Sequence, residues 1–276
     1  MLQYLKLPKH SDLHFLHITD CHLMDHRDDL FHQQNTRSNL QRVIQQSISS
    51  YPDIDFILIT GDISQTGTPA SYEVFKSIIG AIDIPIYAVP GNHDDPALLQ
   101  RVIATSPDQS ISIIHVKQYS LLLASSWVKD KHYGRISEQS LEQIEQQLKS
   151  SDGGFNIIAI HHPPVVVGSQ WLDNLGLKNG PELLKLVNAS SAKSLIICGH
   201  VHQEINRELG QSGLLATPST CHQFQPHCDS MQRINEASPA YRYVSISNGQ
   251  MITTKIHYLN AIDATTHAPV LASQTV

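Results

Sequence analysis

Leu13-His14-Phe15-Leu16-His17-Ile18-Thr19 runs without a break into Asp20-Cys21-His22, and the fold is read outward from this passage. The first seven residues are mostly apolar and β-favouring, as a buried strand requires. The next three set a carboxylate and an imidazole two positions apart at the strand's carboxyl end, where α/β sheets build their sites. The pattern recurs four times. Asp55–Thr60 leads into Gly61-Asp62, and Ile84–Val89 into Pro90-Gly91-Asn92-His93-Asp94. Asn156–Ile160 leads into His161-His162-Pro163-Pro164, and Ser194–Cys198 into Gly199-His200-Val201-His202.

Each group alone is weak. Gly-Asp is a common turn, Asp-x-His after a strand often caps one, and a histidine before a proline bend can simply be packed. His200-x-His202 is stronger, because alternate residues of an extended segment point to one side and can chelate one site. Five independent core turns would not all carry hard-oxygen or imidazole donors directly after an apolar strand. Together they describe a metal centre. Two divalent ions about 3.5–4 Å apart can clamp the attacking and leaving oxygens of a phosphoryl displacement. A carboxylate between them can serve both. Imidazole suits Zn, Fe and Mn, and no turn supplies the cysteine pairs of a structural zinc.

Further β-rich runs lie at Leu121–Ser125, Leu214–Thr217, Tyr241–Ser247 and Met251–Tyr258, the last two joined by the hairpin signal Ser-Asn-Gly-Gln. Thr36–Ser50 is an amphipathic helix candidate with Leu40, Val43, Ile44, Ser47 and Ile48 on one face. Ser137 can cap a helix carrying Leu141, Ile144 and Leu148. Pro181 stands at a plausible first helical position ahead of Leu183, Leu184 and Val187. Strand–helix alternation first and strand-only segments last predict an α/β fold of two packed mixed sheets flanked by helices. One domain over residues 1–259 is expected. The tail, 260–276, loses periodicity and is expected to be poorly ordered or to act as a partner-exchanging arm.

Composition fits this picture. Apolar residues are 41% and charged residues 16% of the 276, an ordinary globular balance. The net charge of −6 argues against nucleic acid as a partner, since no basic face is visible. No apolar run reaches the length of a membrane span and Met1–His10 holds no signal-like core, so a cytoplasmic protein without a membrane partner is expected. The four cysteines, Cys21, Cys198, Cys221 and Cys228, are then expected to be free thiols. A homodimer is one assembly the sequence allows. Histidine is the oddity, with 17 against 19 Lys plus Arg.

The series Asp20-x-His22, Gly61-Asp62, Gly91-Asn92-His93-Asp94, His161-His162-Pro163 and Gly199-His200-x-His202 resembles the calcineurin-like metallophosphoesterases in order and spacing. The resemblance covers Leu13 to Tyr258 and implies their α/β/β/α sandwich. It further implies one ion on Asp20, His22 and His202, a second on Asn92, His161 and His200, and Asp62 between the two. No ligand position is missing, which separates this chain from members that have lost ligands. The catalytic pair implied is His93 with Asp62, His93 standing beside the ions as phosphate contact and proton donor. Substrate contacts are implied for His22, Asp62, Asn92, His93, His161, His200 and His202.

A narrower resemblance lies in Gly168-x-x-Trp171-Leu172-Asp173, in Cys198 to Glu204, and in Ala216-Thr217-Pro218-Ser219-Thr220-Cys221-x-Gln223-Phe224-x-Pro226. These look like the bacterial cyclic-AMP phosphodiesterases of the superfamily, which use two metals, often including iron or manganese. The implied reaction opens 3′,5′-cyclic AMP to 5′-AMP by in-line attack of a hydroxide bridging two divalent ions (Fe, Mn or Zn). The rivals are a broader phosphodiesterase or phosphomonoesterase, a nuclease, and a non-catalytic scaffold. Trp171 and Phe224 are candidates to stack on a base. Cys21 is expected to pack away from its ligand neighbours, and His162 to lie behind the ligands or face substrate. Cys221-His222 with His227-Cys228 is a poor zinc candidate.

Overall fold

A computed structural model describes residues 4–5, 12–108, 110–151, 154–234, 237–247 and 251–259 of the chain. The expected tail, 260–276, lies outside the described residues. One sheet holds β2 (Leu13–Ile18), β3 (Phe56–Thr60), β4 (Ile86–Val89), β11 (Ala240–Ser247) and β12 (Met251–Tyr258), in the order β12-β11-β2-β3-β4. The other holds β1 (Tyr4–Leu5), β5 (Ile111–Val116), β6 (Tyr119–Ala124), β7 (Phe155–Ala159), β8 (Lys193–Cys198), β9 (Ile205–Leu209) and β10 (Ser212–Ala216), in the order β1-β5-β6-β7-β8-β10-β9. β2, β3 and β4 are mutually parallel, as are β6, β7, β8 and β10. Antiparallel partners complete both sheets, so both are mixed.

The layers follow from side-chain alternation. Leu13 and Phe15 of β2, Phe56 and Leu58 of β3, and Val244 and Ile246 of β11 point into the space between the sheets. There they meet Leu121 and Leu123 of β6, Ile157 of β7 and Leu195 and Ile197 of β8. Phe15 and Phe56 stack with centroids 4.8 Å apart, and the Tyr119 hydroxyl crosses the layer to donate to the Ile246 carbonyl at 2.9 Å. On the outer face of the first sheet, Leu16, Ile18, Ile57 and Ile59 are covered by α1 (Thr36–Ser50), α2 (Pro69–Ile79) and α3 (Pro96–Val102). On the outer face of the second, Leu122, Ile158 and Ile196 are covered by α4 (Glu138–Ser150), α5 (Gln170–Asp173) and α6 (Gly180–Ala189). The result is the expected helix–sheet–sheet–helix sandwich.

α1 has the expected bounds, with Asn35 accepting from the Ser38 amide as its cap. Ser137 caps α4 by accepting from Ser140 N. Asn179 precedes α6 and Gly180 begins it, so Pro181 sits one position later than expected. The sequence reading omitted β1, β5, β9 and three helices. α2 nonetheless carries its signals openly: Thr68 accepts from the Ser71 amide, Pro69 opens the first turn, and Tyr72, Phe75 and Ile78 line its inner face. No helix among the described residues is long and apolar enough to cross a membrane.

Phe15 stacks on its strand neighbour Phe56 and fills the layer between the two sheets. Phe15→Ala should therefore cost about 3–5 kcal/mol of stability, read as a lower urea midpoint with unchanged slope. A midpoint within error of the parent would show that the inter-sheet layer closes over the gap.

Candidate metal centre

Every motif read from the sequence lies just past a strand end. β2, β3 and β4 of one sheet and β7 and β8 of the other all deliver their carboxyl ends to one place, where the connecting loops hydrogen-bond to each other. Asp20 N donates to the Gly61 carbonyl (3.0 Å), His22 N to the Asp62 carbonyl (2.8 Å) and Gly199 N to the His161 carbonyl (3.0 Å). The turns are sharp enough to leave the ordinary backbone regions. Asp20, His22, Asp62, His200 and His202 all have positive φ, between 47° and 70°. Such conformations cost of order 1–3 kcal/mol each and persist where the surroundings impose them. Two glycines permit the crowding. A Cβ on Gly91 would lie 2.2 Å from Asp62 Oδ1, and one on Gly199 2.0 Å from Thr19 Oγ1.

Two ligand groups result. Asp20, His22 and His202 bring donor atoms within 4.8 Å of one another, and so do His161, His200 and His162, the last with both ring nitrogens engaged elsewhere. Asp62 Oδ2 lies between the groups, 3.8 Å from His22 Nε2 and 3.4 Å from His161 Nε2. The His93 amide donates to its other oxygen at 2.9 Å. Asn92 Oδ1 reaches the second group, 3.3 Å from His161 Nε2. These positions suit one ion on each group with Asp62 Oδ2 shared.

The hydrogen bonds behind the imidazoles test that fit. His22 Nδ1 donates to Gln65 Oε1, His161 Nδ1 to the Thr60 carbonyl and His202 Nδ1 to the His222 carbonyl, each at 2.7 Å. Spending the Nδ1 proton on a fixed oxygen turns Nε2 to the centre as a ligand atom. His22 Nε2 and His202 Nε2 then face each other at 3.2 Å, two lone pairs that need a cation between them. The buried Nε2 of His200 has no hydrogen-bond partner at all. A divalent ion answers both defects.

Charge points the same way. Burial holds the His22 and His200 imidazoles neutral, their pKa values pushed down to about 4 and about 3. Burial works against the Asp62 carboxylate too, yet His161 and His93 keep it ionised well below the usual carboxylate range. His161 is the counterpart: burial opposes its charge, but Asp62 holds its pKa up to about 9. Two buried carboxylates thus demand positive charge close by, and the raised His161 pKa is one expression of that demand.

A cavity of about 230 Å³ opens over this floor. Asp62, Asn92, His93, His200 and His202 line its base, and Phe31, Trp171, His222, Phe224 and Met231 form one wall. Asp20 and His161 are fully buried and do not line it. No Lys or Arg is among the lining residues. His93 Nδ1 donates to the Gln65 carbonyl (3.1 Å), which leaves its Nε2 free. Both ring nitrogens of His162 are engaged, Nδ1 with Ser126 Oγ (2.8 Å) and Nε2 with the His132 carbonyl (3.2 Å). It therefore sits behind the ligands. Cys21 packs in the apolar layer under α1 and α2. Cys221 and His222 pair with each other, but no metal-holding group forms there among the described residues.

The sequence reading assigns no role to Asp94, which it quotes only within a motif, and does not name Phe31 or His132; Phe224 it names as a stacking candidate. Asp94 is buried under the Asn92 turn and accepts from the amides of Ile63, Ser64 and Gly91 and from the Tyr72 hydroxyl, welding that turn to the Asp62 loop. Burial raises its pKa to about 6. His132 receives a hydrogen bond from Asn92 Nδ2 at 3.3 Å. Phe31 stacks on the His22 ring (5.5 Å) and Phe224 on the His202 ring (4.4 Å). Asp94 follows Asn92-His93 directly and could have been weighed. Phe31 and His132 lie in loops whose course no local pattern announces.

Comparison with known proteins agrees with this geometry. The calcineurin-like phosphoesterase family model matches residues 13–204. The chain is 33% identical to the 3′,5′-cyclic adenosine monophosphate phosphodiesterase CpdA of Vibrio vulnificus, over 90% of this chain and 91% of that one. It is 31% identical to a 3′,5′-cyclic-nucleotide phosphodiesterase of Nostoc, over 87% and 90%. Among solved structures, a dimetal phosphatase from Danio rerio superposes with a TM-score of 0.60 at 17% identity, covering 88% of this chain and 98% of that one. A purple acid phosphatase from yellow lupin gives 0.63 at 14% identity, covering 96% and 58%. The last two speak to the fold alone.

The position of Asp62 Oδ2 between the two groups generates an asymmetric expectation. Asp62→Ala should deplete both ions, Asn92→Ala and His161→Ala mainly one, and Asp20→Ala mainly the other, by elemental analysis after dialysis. Retention of both ions at wild-type affinity in Asp62→Ala would remove the shared carboxylate.

Proposed function

The chain belongs to the calcineurin-like phosphoesterase family, and from that premise we propose that it hydrolyses the 3′,5′-cyclic phosphodiester of cyclic AMP to 5′-AMP. One observation carries the choice of substrate: the cavity has a histidine-rich floor, an aromatic wall and no Lys or Arg among its lining residues. Trp171 and Phe224 meet edge to face at 4.8 Å, and Phe31 stands near them on the same wall. A flat heterocycle finds apolar and π contact there while its phosphate reaches the floor. A phosphomonoester dianion calls for more fixed positive charge than a diester monoanion, and no Lys or Arg provides it.

Asp20, His22 and His202 would hold one ion, Asn92, His161 and His200 a second, with Asp62 common to both. Zinc, iron and manganese all suit this mixture of imidazole and hard oxygen. When bound, two such ions supply Lewis acidity to the phosphoryl oxygens and lower the pKa of coordinated water. The chain's own residues do the rest. Asn92 is oriented by two contacts, Oδ1 towards His161 and Nδ2 to His132. His93 is fixed from behind by its amide bond to Asp62 and its Nδ1 bond to Gln65. Its Nε2 is therefore the nitrogen available to the phosphate and to the leaving oxygen. As the bond from phosphorus to O3′ breaks, His93 in its doubly protonated form gives the Nε2 proton to the 3′ oxygen and keeps the Nδ1 proton on the Gln65 carbonyl. The attacking water leaves its oxygen on phosphorus, and the proton it loses restores Nε2. The apolar wall limits water beside the ring.

The reading is tested by turnover of cyclic AMP on metal-reconstituted protein, with 5′-AMP identified as product. Faster turnover of p-nitrophenyl phosphate than of cyclic AMP would reject it. His93→Ala should keep both ions and lower kcat on cyclic AMP by roughly 10²–10⁴. The loss should be far smaller on bis(p-nitrophenyl) phosphate, whose leaving group needs no proton. Equal losses would confine His93 to holding the phosphate. Replacing Trp171 and Phe224 together by Ala should raise KM for cyclic AMP more than it lowers kcat.

A further inference from the structure

Behind the Asp20 carboxylate runs a chain of five buried side chains that the chemistry above does not use. Arg242 of β11 is wholly buried in the inter-sheet layer, and the carboxylate recorded beside it, that of Glu204, is 3.9 Å away and partly exposed. Its Nη atoms donate to the Ala216 carbonyl (2.7 Å), Asn206 Oδ1 (2.8 Å) and Thr254 Oγ1 (2.9 Å). Its Nε donates to Thr217 Oγ1 at 3.1 Å. Thr217 Oγ1 lies 2.5 Å from His17 Nδ1, and His17 Nε2 lies 2.7 Å from Thr60 Oγ1. Thr60 Oγ1 is 2.9 Å from Thr19 Oγ1, which is 2.7 Å from Asp20 Oδ2.

Counting protons gives this chain a single direction. Each hydroxyl has one proton. That of Thr19 goes to the carboxylate, which can only accept. The gap between Thr60 and Thr19 must then hold the proton of Thr60. Thr60 Oγ1 in turn accepts from His17, which places the ring proton on Nε2. Nδ1 is left as an acceptor for the Thr217 hydroxyl, and Thr217 Oγ1 accepts from Arg242. The other ring tautomer would leave one oxygen–oxygen contact without a proton.

We propose that Arg242 and His17 are positioning residues of the metal centre: Arg242 sets the direction of a buried relay whose last proton, on Thr19, ties down Asp20 Oδ2 and leaves Oδ1 for the ion. The proposal rests on Asp20, His22 and His202 being an ion site. The His200 amide is shared between the two oxygens but lies closer to Oδ2, 2.9 Å against 3.2 Å from Oδ1, and Oδ1 stands 3.3 Å from His202 Nε2. A cation at one end and an anion at the other polarise every link in the same sense. Burial, with Arg242 adding to it, pushes the His17 pKa down to about 3, so the ring is a neutral tautomer at neutral pH. Burial lowers that of Arg242 only to about 10, and it remains a cation.

Nitrogen-15 NMR of metal-free, histidine-labelled wild type, with His17 assigned from His17→Gln, should show Nε2 protonated and Nδ1 bare. An Nδ1–H tautomer or an imidazolium at neutral pH overturns the relay. Competition titrations with Zn²⁺ should show Thr19→Val weakening one of two ions about tenfold and sparing the other, with Thr19→Ser close to wild type. Arg242→Gln should mix the His17 tautomers; if it does not fold, the Thr19 pair and the wild-type tautomer decide. A folded Thr19→Val with both affinities unchanged refutes the relay alone, whatever its melting temperature. Wild type that binds no second ion refutes the two-ion reading and the relay with it.

Discussion

Two carboxylates, Asp20 and Asp62, are held away from water among imidazoles that burial keeps largely neutral. A buried anion without a partner is costly enough that a protein ordinarily protonates it. Here both stay ionised, because amides, hydroxyls and one histidine proton are aimed at them. The cluster is satisfied only by concentrated positive charge, and two divalent ions would supply more of it than the His161 proton does. The surrounding structure can be understood as whatever is needed to keep these two groups where they are.

That need explains why the fold uses two sheets. One parallel sheet offers strand ends in a row about 4.8 Å apart, which spreads ligands along a line. Two sheets packed face to face bring the ends of β2, β3 and β4 opposite those of β7 and β8 and close a ring. The turns must then bend at once, and the left-handed backbone at Asp20, His22, Asp62, His200 and His202 is the consequence. The strain is sustained by the apolar layer beneath, where Phe15, Phe56 and their neighbours leave no room for the strands to slip.

The ligand positions were legible in the sequence because strands advertise themselves by apolar runs and the ligands follow directly. As candidates for the centre, Asp20, His22, Asp62, Asn92, His161, His200 and His202 could be named without knowing which strands were neighbours. β5 and β9 were not seen: β9 is a polar edge strand, Ile205 to Leu209, with no apolar run to mark it. The relay was invisible for another reason. His17, Thr60 and Arg242 occupy inward positions, two residues along from Phe15, Leu58 and Val244, where alternation calls for apolar side chains. In a sequence they read as flaws in good strands. Only the structure shows that these flaws lie at the same end of the inter-sheet layer and face one another.

Floor and wall of the cavity have different origins, and this bears on how one scaffold can serve many substrates. The floor comes from strand ends: Asp62 after β3, Asn92 after β4, His200 and His202 after β8. Each is locked by the sheets, by close-approaching glycines and by hydrogen bonds from behind. The wall comes from connecting segments: Phe31 before α1, Trp171 on the short α5, His222, Phe224 and Met231 after β10. These touch the centre through the stacking of Phe31 on His22 and Phe224 on His202, and through one backbone atom, the His222 carbonyl that accepts from His202 Nδ1. On the proposed reading, a side-chain change in the wall would alter what is held against the centre and leave the strand-end residues in place, whereas a change in the floor or in the layer beneath it would disturb the centre itself. Any preference for a base would then belong to the loops, and the capacity to break a phosphoester to the strand ends.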